Sequence, residues 1–217
     1  YGEFYSTFNY DGEEDVELKI SADSNYAVYI NGELTVFGQY ADFPYDKIYD
    51  EVDITKFCKN GKNHVAVIVW YFGITTTSVY YKGEASLIFE ITEGENVLCF
   101  SGEQALSRLS RTYDQHVCKI ITGQMGLSFS YDMTKEDKWK MGELCGFSNS
   151  VIVSKHPSCR IRPNEKLVLE KKVLGKEIKR ISDSDVIFEL GSEQVGFVSI
   201  DITSDTEQDI LVAYGEH

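Results

Sequence analysis

The stretch that decides the fold is YINGELTV at residues 29–36. Its centre, Asn31-Gly32, is the strongest short-range signal for a β-hairpin, because both central residues of a type I′ turn need positive φ and these two tolerate it best. Alternating apolar residues flank the pair. A second pair, Asn60-Gly61, stands just before the apolar run of residues 65–71 and repeats the signal. The sequence therefore predicts antiparallel sheet in this region.

The rest of the chain shows the same kind of pattern. Apolar runs of strand length alternate with Gly, Asn and Asp at intervals of about 8 to 12 residues, which favours a sandwich or barrel. Helical periodicity is nearly absent, and the two helix candidates are short: a single turn at residues 55–59 and a segment at 103–110. We predict an all-β chain, with further strands at residues 16–20, 85–91, 195–202 and 210–214.

The composition and net charge of the chain limit the classes of partner that it is expected to bind. The chain has 217 residues, 42% of them hydrophobic and 13% aromatic, which is enough for a packed core. No apolar run approaches the ~20 residues that cross a bilayer, so no membrane partner is expected. A net charge of −14 argues against nucleic acid, since phosphate binding depends on clustered Lys and Arg. Neutral glycans remain possible partners.

The cysteines argue against a disulfide framework. There are five, an odd number, widely spaced and without a C-x-x-C pair. We interpret them as reduced and mostly buried thiols, which favours a reducing compartment such as the cytoplasm.

Two sets of motifs occur in a fixed order. The first comprises Y-x-x-Y-I-N-G-E at residues 26–33, a loop rich in tyrosine and proline, Y-D-x-V-D-I-T at 49–55 and G-K-N-x-V-A-V at 61–67. The second is FELGSEQVGFV at 188–198 with VAYGE at 212–216. The first set resembles the N-terminal galactose-binding-like sandwich of bacterial α-L-rhamnosidases, glycoside hydrolase family 78. The second is similar to the opening of that family's next sandwich domain.

The resemblance implies a domain organisation and a partner. It implies an antiparallel β-sandwich, a galactose-binding-like jelly roll, over residues 1–157, and part of a second, truncated β-sandwich over residues 158–217. In the family an irregular stretch carrying a tryptophan finishes the first domain, and residues 131–156 with Trp139 correspond to it. The family's catalytic carboxylates lie on a large (α/α)₆ barrel that follows the sandwiches. The implied partner is such a barrel in the same parent chain.

No residue of this sequence matches a catalytic motif. The acidic stretches at residues 11–15 and 183–185 are interpreted as turns before strands. The four histidines are isolated, and neither a G-x-S-x-G elbow nor a D-x-[DN]-x-[DN]-G loop occurs. The sequence predicts no catalytic residue, no metal ligand and no cofactor, although a calcium ion held by loop carbonyls stays compatible with it.

Carbohydrate binding has better candidates. Saccharide sites stack ring faces on aromatic side chains while carboxylates and amides take the hydroxyls. The loop at residues 39–50 interleaves aromatic and acidic residues, and a second aromatic group begins at Trp70. The predicted binding residues are Tyr40, Tyr45, Asp46, Tyr49, Trp70 and Tyr71. The alternative is that these aromatics cover the end of the sandwich or pack against the catalytic domain.

Two main hypotheses follow, and a third is a purely structural or adhesive interaction domain whose exposed aromatic patch binds a protein partner. The first is a non-catalytic N-terminal sandwich fragment of an α-L-rhamnosidase-type glycoside hydrolase, inactive by itself, that supports or borders a barrel hydrolysing terminal α-L-rhamnosides. The second is an independent carbohydrate-binding module. Asn31 also has two interpretations, as a ligand contact or as a residue already explained by its turn.

Overall fold

The chain was analysed as a computed structural model that describes residues 1–39, 42–76, 81–115, 119–122, 126–153, 158–163 and 171–213. The described residues form fifteen β-strands and three short 3₁₀ turns, which confirms the all-β class. The chain divides into two compact units, Tyr1–Leu167 and Val168–His217.

The described residues of the first unit form thirteen strands. They are β1 (Gly2–Tyr10), β2 (Val16–Asp23), β3 (Asn25–Ile30), β4 (Glu33–Gly38), β5 (Lys47–Asp53), β6 (Gly61–Trp70), β7 (Ser86–Glu93), β8 (Asn96–Phe100), β9 (Leu106–Leu109), β10 (Ile120–Thr122), β11 (Gly126–Leu127), β12 (Ser148–Asn149) and β13 (Cys159–Ile161).

Two large sheets organise this unit. One has six strands in the order β12-β9-β1-β6-β3-β4, and the other has five in the order β13-β5-β2-β7-β8. A separate small sheet pairs β10 with β11. Neighbouring strands are antiparallel except for β13, which runs parallel to β5. The first unit is therefore the predicted antiparallel sandwich with one parallel edge strand.

A single apolar cluster lies between the two sheets. Alternation along β3 buries Tyr26, Val28 and Ile30, and they meet Leu18 and Ile20 from β2 of the facing sheet. Full burial of each such aliphatic side chain contributes about 1.5 to 3 kcal/mol. The shared core is what joins the sheets into one sandwich.

The outer face of the six-stranded sheet is also covered. Tyr5 and Ala66 point away from the main core and pack with Trp139, which is 5% exposed. Trp139 lies in an irregular segment with two 3₁₀ turns, Met133–Lys135 and Trp139–Met141. The tryptophan of the irregular stretch thus closes one outer surface of the sandwich.

The central hairpin forms as predicted. Ile30 of β3 pairs with Glu33 of β4, leaving Asn31 and Gly32 as a two-residue loop with φ of 52° and 83°. The prediction of a second hairpin at Asn60-Gly61 is wrong. Gly61 has a φ of 88°, but it begins β6, which pairs with β1 and β3, whereas the preceding β5 lies in the other sheet. The Asn60-Gly61 dipeptide therefore lies in the connection that crosses from one sheet to the other.

The two helix predictions have different outcomes. Residues 55–59 contain the 3₁₀ turn Thr55–Phe57, and Asp53 Oδ1 accepts a hydrogen bond from the Thr55 backbone N–H at 2.9 Å. The predicted helix at residues 103–110 is wrong, because that segment holds strand β9, which pairs with β1. An available sheet edge overrides a weak helical pattern.

The described residues of the second unit, 171–213, contain one hairpin, β14 (Lys176–Arg180) with β15 (Val186–Glu189). Residues 191–213 carry no strand, so the strands predicted at 195–202 and 210–213 are not formed, while Tyr214 lies outside the described residues. Val195 and Leu211 are 99% and 93% exposed. A strand needs a neighbour for its backbone hydrogen bonds, and none pairs with these residues. A second sandwich over residues 158–217, with its boundary after residue 157, stays a prediction.

The thiols of the described cysteines have different surroundings. Cys99 is buried, Cys58 and Cys159 are half-buried, and Cys145 is exposed, so the prediction of mostly buried thiols does not hold for Cys145. Cys118 lies outside the described residues. Within the described part of the chain, no helix is both long and apolar enough to span a membrane.

Candidate carbohydrate-binding surface

One end of the sandwich carries the predicted site residues. Strand register places Gly2 opposite Val69 and Asn25 opposite Trp70, so the start of β1, the start of β3 and the end of β6 lie side by side. Because β2 passes into β3 through Ser24, the end of β2 lies at this end too. We call it the aromatic end. The opposite end, which carries the Asn31-Gly32 turn, is the hairpin end.

A β-turn at the aromatic end presents two stacked rings. The Asp46 backbone N–H donates to the Phe43 carbonyl at 3.0 Å and closes a four-residue turn, with Pro44 where its fixed φ suits a turn. The Phe43 and Tyr45 rings stack with centroids 5.3 Å apart and planes 17° apart. Tyr81 packs on Phe43 at 4.9 Å. We call Phe43, Tyr45 and Tyr81 the aromatic platform.

The platform is open to solvent. The exposed fractions are 39% for Phe43, 78% for Tyr45 and 53% for Tyr81. Exposed aromatic rings combine a large apolar area with few rotatable bonds, and saccharide sites add a few polar groups that fix orientation. The platform supplies the first of these two requirements.

A charged pair beside the platform supplies polar groups. Arg160 donates from Nε and Nη2 to the two carboxylate oxygens of Asp46, at 2.9 and 3.0 Å. This hydrogen bonding lowers the pKa of Asp46, which therefore stays ionised at neutral pH. Both side chains are more than 40% exposed, so their remaining lone pairs and N–H groups face water. The predicted residues Tyr45 and Asp46 thus lie together at the surface.

Behind the turn lies a buried charged cluster. Lys47 Nζ is 2.7 Å from Asp42 Oδ1 and 3.5 Å from Asp23 Oδ2, and the three side chains are 4 to 8% exposed. The Ile48 backbone N–H donates to Asp42 at 3.0 Å. Removing one member of a buried ion pair is strongly destabilising, since the other charge is left unpaired. These acids therefore hold the base of the platform turn.

Asp50 is engaged in the same structural way. It accepts hydrogen bonds from the Tyr26 hydroxyl and from Arg162, whose Nη2 lies 3.1 Å from Oδ2. Burial, with the Asp50 charge as a second cause, raises the pKa of Tyr26. Tyr26 therefore remains a protonated donor at any ordinary pH. In the sequence, Asp50 ends the loop at residues 39–50 and belongs to the Y-D-x-V-D-I-T motif.

Trp70 belongs to a different group of rings. Tyr1 stacks on Trp70 at 5.1 Å and on Tyr113 at 4.1 Å, with planes 18° and 13° apart. Phe72 meets the Trp70 ring edge-on at 4.4 Å, and Phe129 meets it at 6.4 Å. We call Tyr1, Trp70, Phe72, Tyr113 and Phe129 the interlocked aromatics. Here the Trp70 ring packs against its neighbours.

Two of the remaining predicted residues, Tyr71 and Tyr49, form hydrogen bonds that involve the main chain. The Tyr71 hydroxyl donates to the Gly83 carbonyl at 2.8 Å. Tyr49 is half-buried in β5, and its carbonyl accepts from the Arg162 backbone N–H at 3.0 Å. Tyr40 lies outside the described residues. As binding residues all six stay predictions, but the structure gathers only Tyr45 and Asp46 at one surface.

Phe43, Tyr81 and Arg160 complete that surface and are missing from the predicted set. The spacing Phe43-Pro44-Tyr45 within one turn is a signal that could have indicated Phe43. Arg160 is 114 residues from Asp46 in the sequence, and no local pattern joins them.

A polar groove lies next to the interlocked aromatics. It has a volume of about 450 Å³ and is lined by residues 110–115 together with Ser130, Asp132 and Lys135. The groove offers hydroxyl, amide and charged groups near Tyr113. It is a second place at the aromatic end where polar and aromatic groups adjoin.

Asn31 is occupied within the fold. Its Nδ2 donates to Asn63 Oδ1 at 2.8 Å and to the Phe57 carbonyl at 3.0 Å, and its Oδ1 accepts from the His64 backbone N–H at 3.1 Å. Of the two interpretations of Asn31, the turn is the one that these contacts support.

The buried acids outside the platform are likewise held by donors. Glu3 accepts from Arg108 Nε at 2.6 Å and from Ser110 Oγ at 2.6 Å. Glu93 accepts from the Glu13 and Glu14 backbone N–H groups. Among the described residues no cluster of three or more His, Cys, Asp or Glu could hold a metal ion.

The two facing sheets and their shared core define an antiparallel β-sandwich, and solved structures contain the same architecture. A GH78 family rhamnosidase of Bacillus sp. GL1 matches 74% of this chain with a TM-score of 0.65 and 23% identity. The α-L-rhamnosidase from Dictyoglumus thermophilum matches 74% with a TM-score of 0.53 and 18% identity. No known sequence family and no curated protein matches the chain.

These similarities confirm the resemblance at the level of the fold. This chain covers 18% of each rhamnosidase chain, so it corresponds to a small part of those proteins. What this chain shares with the two rhamnosidases is therefore the architecture of one β-sandwich.

Proposed function

We propose that this chain is a non-catalytic β-sandwich region of an α-L-rhamnosidase-type glycoside hydrolase, and that it supports or borders a catalytic (α/α)₆ barrel in the same parent chain. The barrel would hydrolyse terminal α-L-rhamnosides. The observation that carries the proposal is the fold similarity to 18% of the length of GH78 rhamnosidases.

The placement of the acids supports a non-catalytic role. A glycosidase needs two carboxyl groups flanking its substrate, about 5 to 9.5 Å apart depending on mechanism, with one able to give up a proton. Here Asp42 is paired with Lys47, Asp50 with Arg162, and Glu3 with Arg108. Acids committed to such pairs serve the fold.

Turnover by the isolated chain tests this proposal. We expect no release of nitrophenol from 4-nitrophenyl α-L-rhamnopyranoside when the folded chain is assayed beside an active rhamnosidase. Turnover that is abolished by a single change such as Asp132→Asn, with the melting temperature unchanged, would contradict the non-catalytic assignment.

The parent reading frame gives a second test. Where it continues into a helical barrel, the parent should be expressed with and without residues 1–217. We expect the shortened enzyme to melt at a lower temperature or to lose kcat/KM, because a bordering domain buries surface on the barrel. An unchanged melting temperature and unchanged kinetics would refute the supporting role.

The aromatic platform favours a second candidate, an independent carbohydrate-binding module. Its most exposed ring, Tyr45, is 78% exposed and already held by stacking on Phe43, so little conformational freedom would be lost on binding. A broad glycan array would test it with the wild type, Tyr45→Ala and a matched control, Phe129→Ala, which removes another exposed ring.

The array separates the two candidates. The binding-module candidate predicts a hit that Tyr45→Ala removes and Phe129→Ala keeps, with both variants folded. A folded wild-type chain that gives no hit would reject this candidate and leave the first one standing.

A further inference from the structure

Strand β13 is attached to the sandwich in an unusual way. It comprises only Cys159–Ile161 and pairs in parallel with β5, so that it forms the edge of the five-stranded sheet, with Cys159 opposite Lys47 and Ile161 opposite Tyr49. Parallel pairing is slightly weaker per residue than antiparallel pairing, and a strand this short forms few hydrogen bonds. Main-chain bonding alone would give a weak attachment.

Arg162 adds a strong side-chain contact directly after the strand. Its guanidinium binds both carboxylate oxygens of Asp50, and its backbone N–H donates to the Tyr49 carbonyl at 3.0 Å. The Arg162 and Asp50 side chains are 13% and 3% exposed. A bidentate pair with this little solvent is costly to break, because Asp50 would remain buried with the Tyr26 hydroxyl as its donor.

Arg160 reaches in a second direction. It binds both oxygens of Asp46, the last residue of the turn that holds Phe43 and Tyr45. Residues 159–162 therefore contact β5 through Arg162 and the aromatic platform through Arg160.

We propose that residues 159–162 form a clip that locks the end of the first unit onto the edge of the sandwich, with Arg162 as the lock and Arg160 as a positioning residue for the platform turn. The clip stands directly before the division between the two units, which follows Leu167. The clip holds residues 159–162 at the sheet edge, and any release of the clip also frees the turn that carries Tyr45. This proposal goes beyond the proposed function and does not depend on it.

Cys159 provides a built-in probe of the clip. Its thiol is half-buried, burial raises its pKa, and it lies in hydrogen-bond contact with the Ser21 hydroxyl. Cys145 is exposed and serves as the internal reference. Iodoacetamide labelling of the whole chain, resolved by peptide mass spectrometry, would compare the two thiols. We expect Cys159 to react at least about tenfold more slowly than Cys145, and equal rates would overturn the proposal.

Variants then test the two arginines separately. Arg162→Gln should speed Cys159 labelling at least about tenfold and increase deuterium exchange at residues 47–50 and 159–162. Arg160→Gln should increase exchange at residues 43–46 and change Cys159 labelling by less than about threefold, because this pair is exposed. Arg180→Gln is the matched control, because it removes another exposed bidentate arginine–carboxylate pair, Arg180 with Glu177. It should change neither the rate of Cys159 labelling nor the deuterium exchange at residues 43–50.

Two further measurements keep the test decisive. Arg162→Lys keeps the charge but loses the planar fork, so it should give intermediate exchange even if Arg162→Gln fails to fold. The unfolding midpoint of Arg160→Gln should stay within a few degrees of wild type while residues 43–46 loosen. If exchange at residues 43–46 is the same in wild type and Arg160→Gln, Arg160 does not position the platform.

Discussion

The two ends of the sandwich use polar and aromatic residues in opposite ways. At the hairpin end, the side-chain amides of Asn31 and Asn63 form hydrogen bonds with neighbouring backbone groups and with each other, and Asn63 is fully buried. At the aromatic end, charged groups are buried beneath rings, and one ring, Tyr45, projects into solvent. The hairpin end is closed by its own side chains, whereas the aromatic end leaves a surface available for contact.

The aromatic end is itself divided. In the interlocked aromatics Tyr1 is stacked between Trp70 and Tyr113 and all three are half-buried, while Phe129 at the edge of the group is 61% exposed. The platform rings stack in the same way but remain largely exposed. The aromatic end thus holds rings of both kinds: Trp70 is half-buried by its ring neighbours, whereas Tyr45 is 78% exposed and stacks only on Phe43 among the described rings.

Breaking the hairpin end should have the largest effect. Asn63→Ala removes four hydrogen bonds, to the Lys59 N–H, the Lys59 and Gly61 carbonyls, and the Asn31 amide. Because the Asn63 side chain is fully buried and four partner groups would each lose a hydrogen bond, we expect a loss of about 3 to 4 kcal/mol in the free energy of unfolding, measured by urea denaturation.

Asn60→Ala is the control for this variant. Asn60 is exposed and stands three residues away, so its replacement should cost less than about 1 kcal/mol. Equal losses for the two variants would mean that the hairpin end is not closed by the Asn63 amide.

Trp70→Ala tests whether the interlocked aromatics are structural. The Trp70 ring is half-buried against Tyr1 and Phe72, so we expect a loss of about 2 to 3 kcal/mol, less than for a fully buried tryptophan. Differential scanning calorimetry would measure it. A variant as stable as wild type that loses glycan binding would reverse the assignment and make Trp70 a binding residue.

Gly83→Ala probes the contact between the Tyr81 loop and the buried charges. A Cβ built on Gly83 would lie 2.1 Å from Asp23 Oδ2, so the carboxylate or the loop must shift. We expect a loss of about 1 to 2 kcal/mol, as is typical of overpacking. Gly196→Ala, where no atom lies within 4 Å, is the control. Thermal melts that place both variants at the wild-type midpoint would show that the loop is not seated on Asp23.

Tyr45→Ala should have the smallest effect on stability. With 78% of the residue exposed, its loss should change the free energy of unfolding by no more than about 0.5 kcal/mol. A shift in the urea midpoint as large as that of Trp70→Ala would mean that the platform is part of the packing and not a free surface.

The sequence predicts the fold better than the site. The all-β class and the Asn31-Gly32 hairpin follow from local rules, since the φ preferences of two residues determine the turn. Asn60-Gly61 obeys the same local rule, yet β5 and β6 lie in different sheets. Which strand pairs with which depends on the whole core, and a dipeptide carries no information about that.

Long-range contacts explain the other differences. Residues 106–109 form a strand because β1 offers an edge, and residues 195–202 form none in the absence of a paired neighbour. At the site, one turn brings Tyr45 and Asp46 together, whereas Arg160 comes from a strand more than a hundred residues later. The sequence makes Trp70 a binding candidate, whereas its packing against Tyr1 and Phe72, which the sequence does not show, indicates a structural role.

The cover that Trp139 places over the six-stranded sheet sets a lower limit on useful fragments of this protein. A fragment ending before residue 139 would keep every strand that builds the main core but would leave Tyr5 and Ala66 facing water. Such a truncation would expose a contiguous apolar face on a sheet that had also lost its β12 edge, and material of that kind tends to aggregate. Any attempt to trim the sandwich to a minimal tag or to graft it onto another enzyme should therefore retain the chain at least as far as Asn149, the last residue of β12.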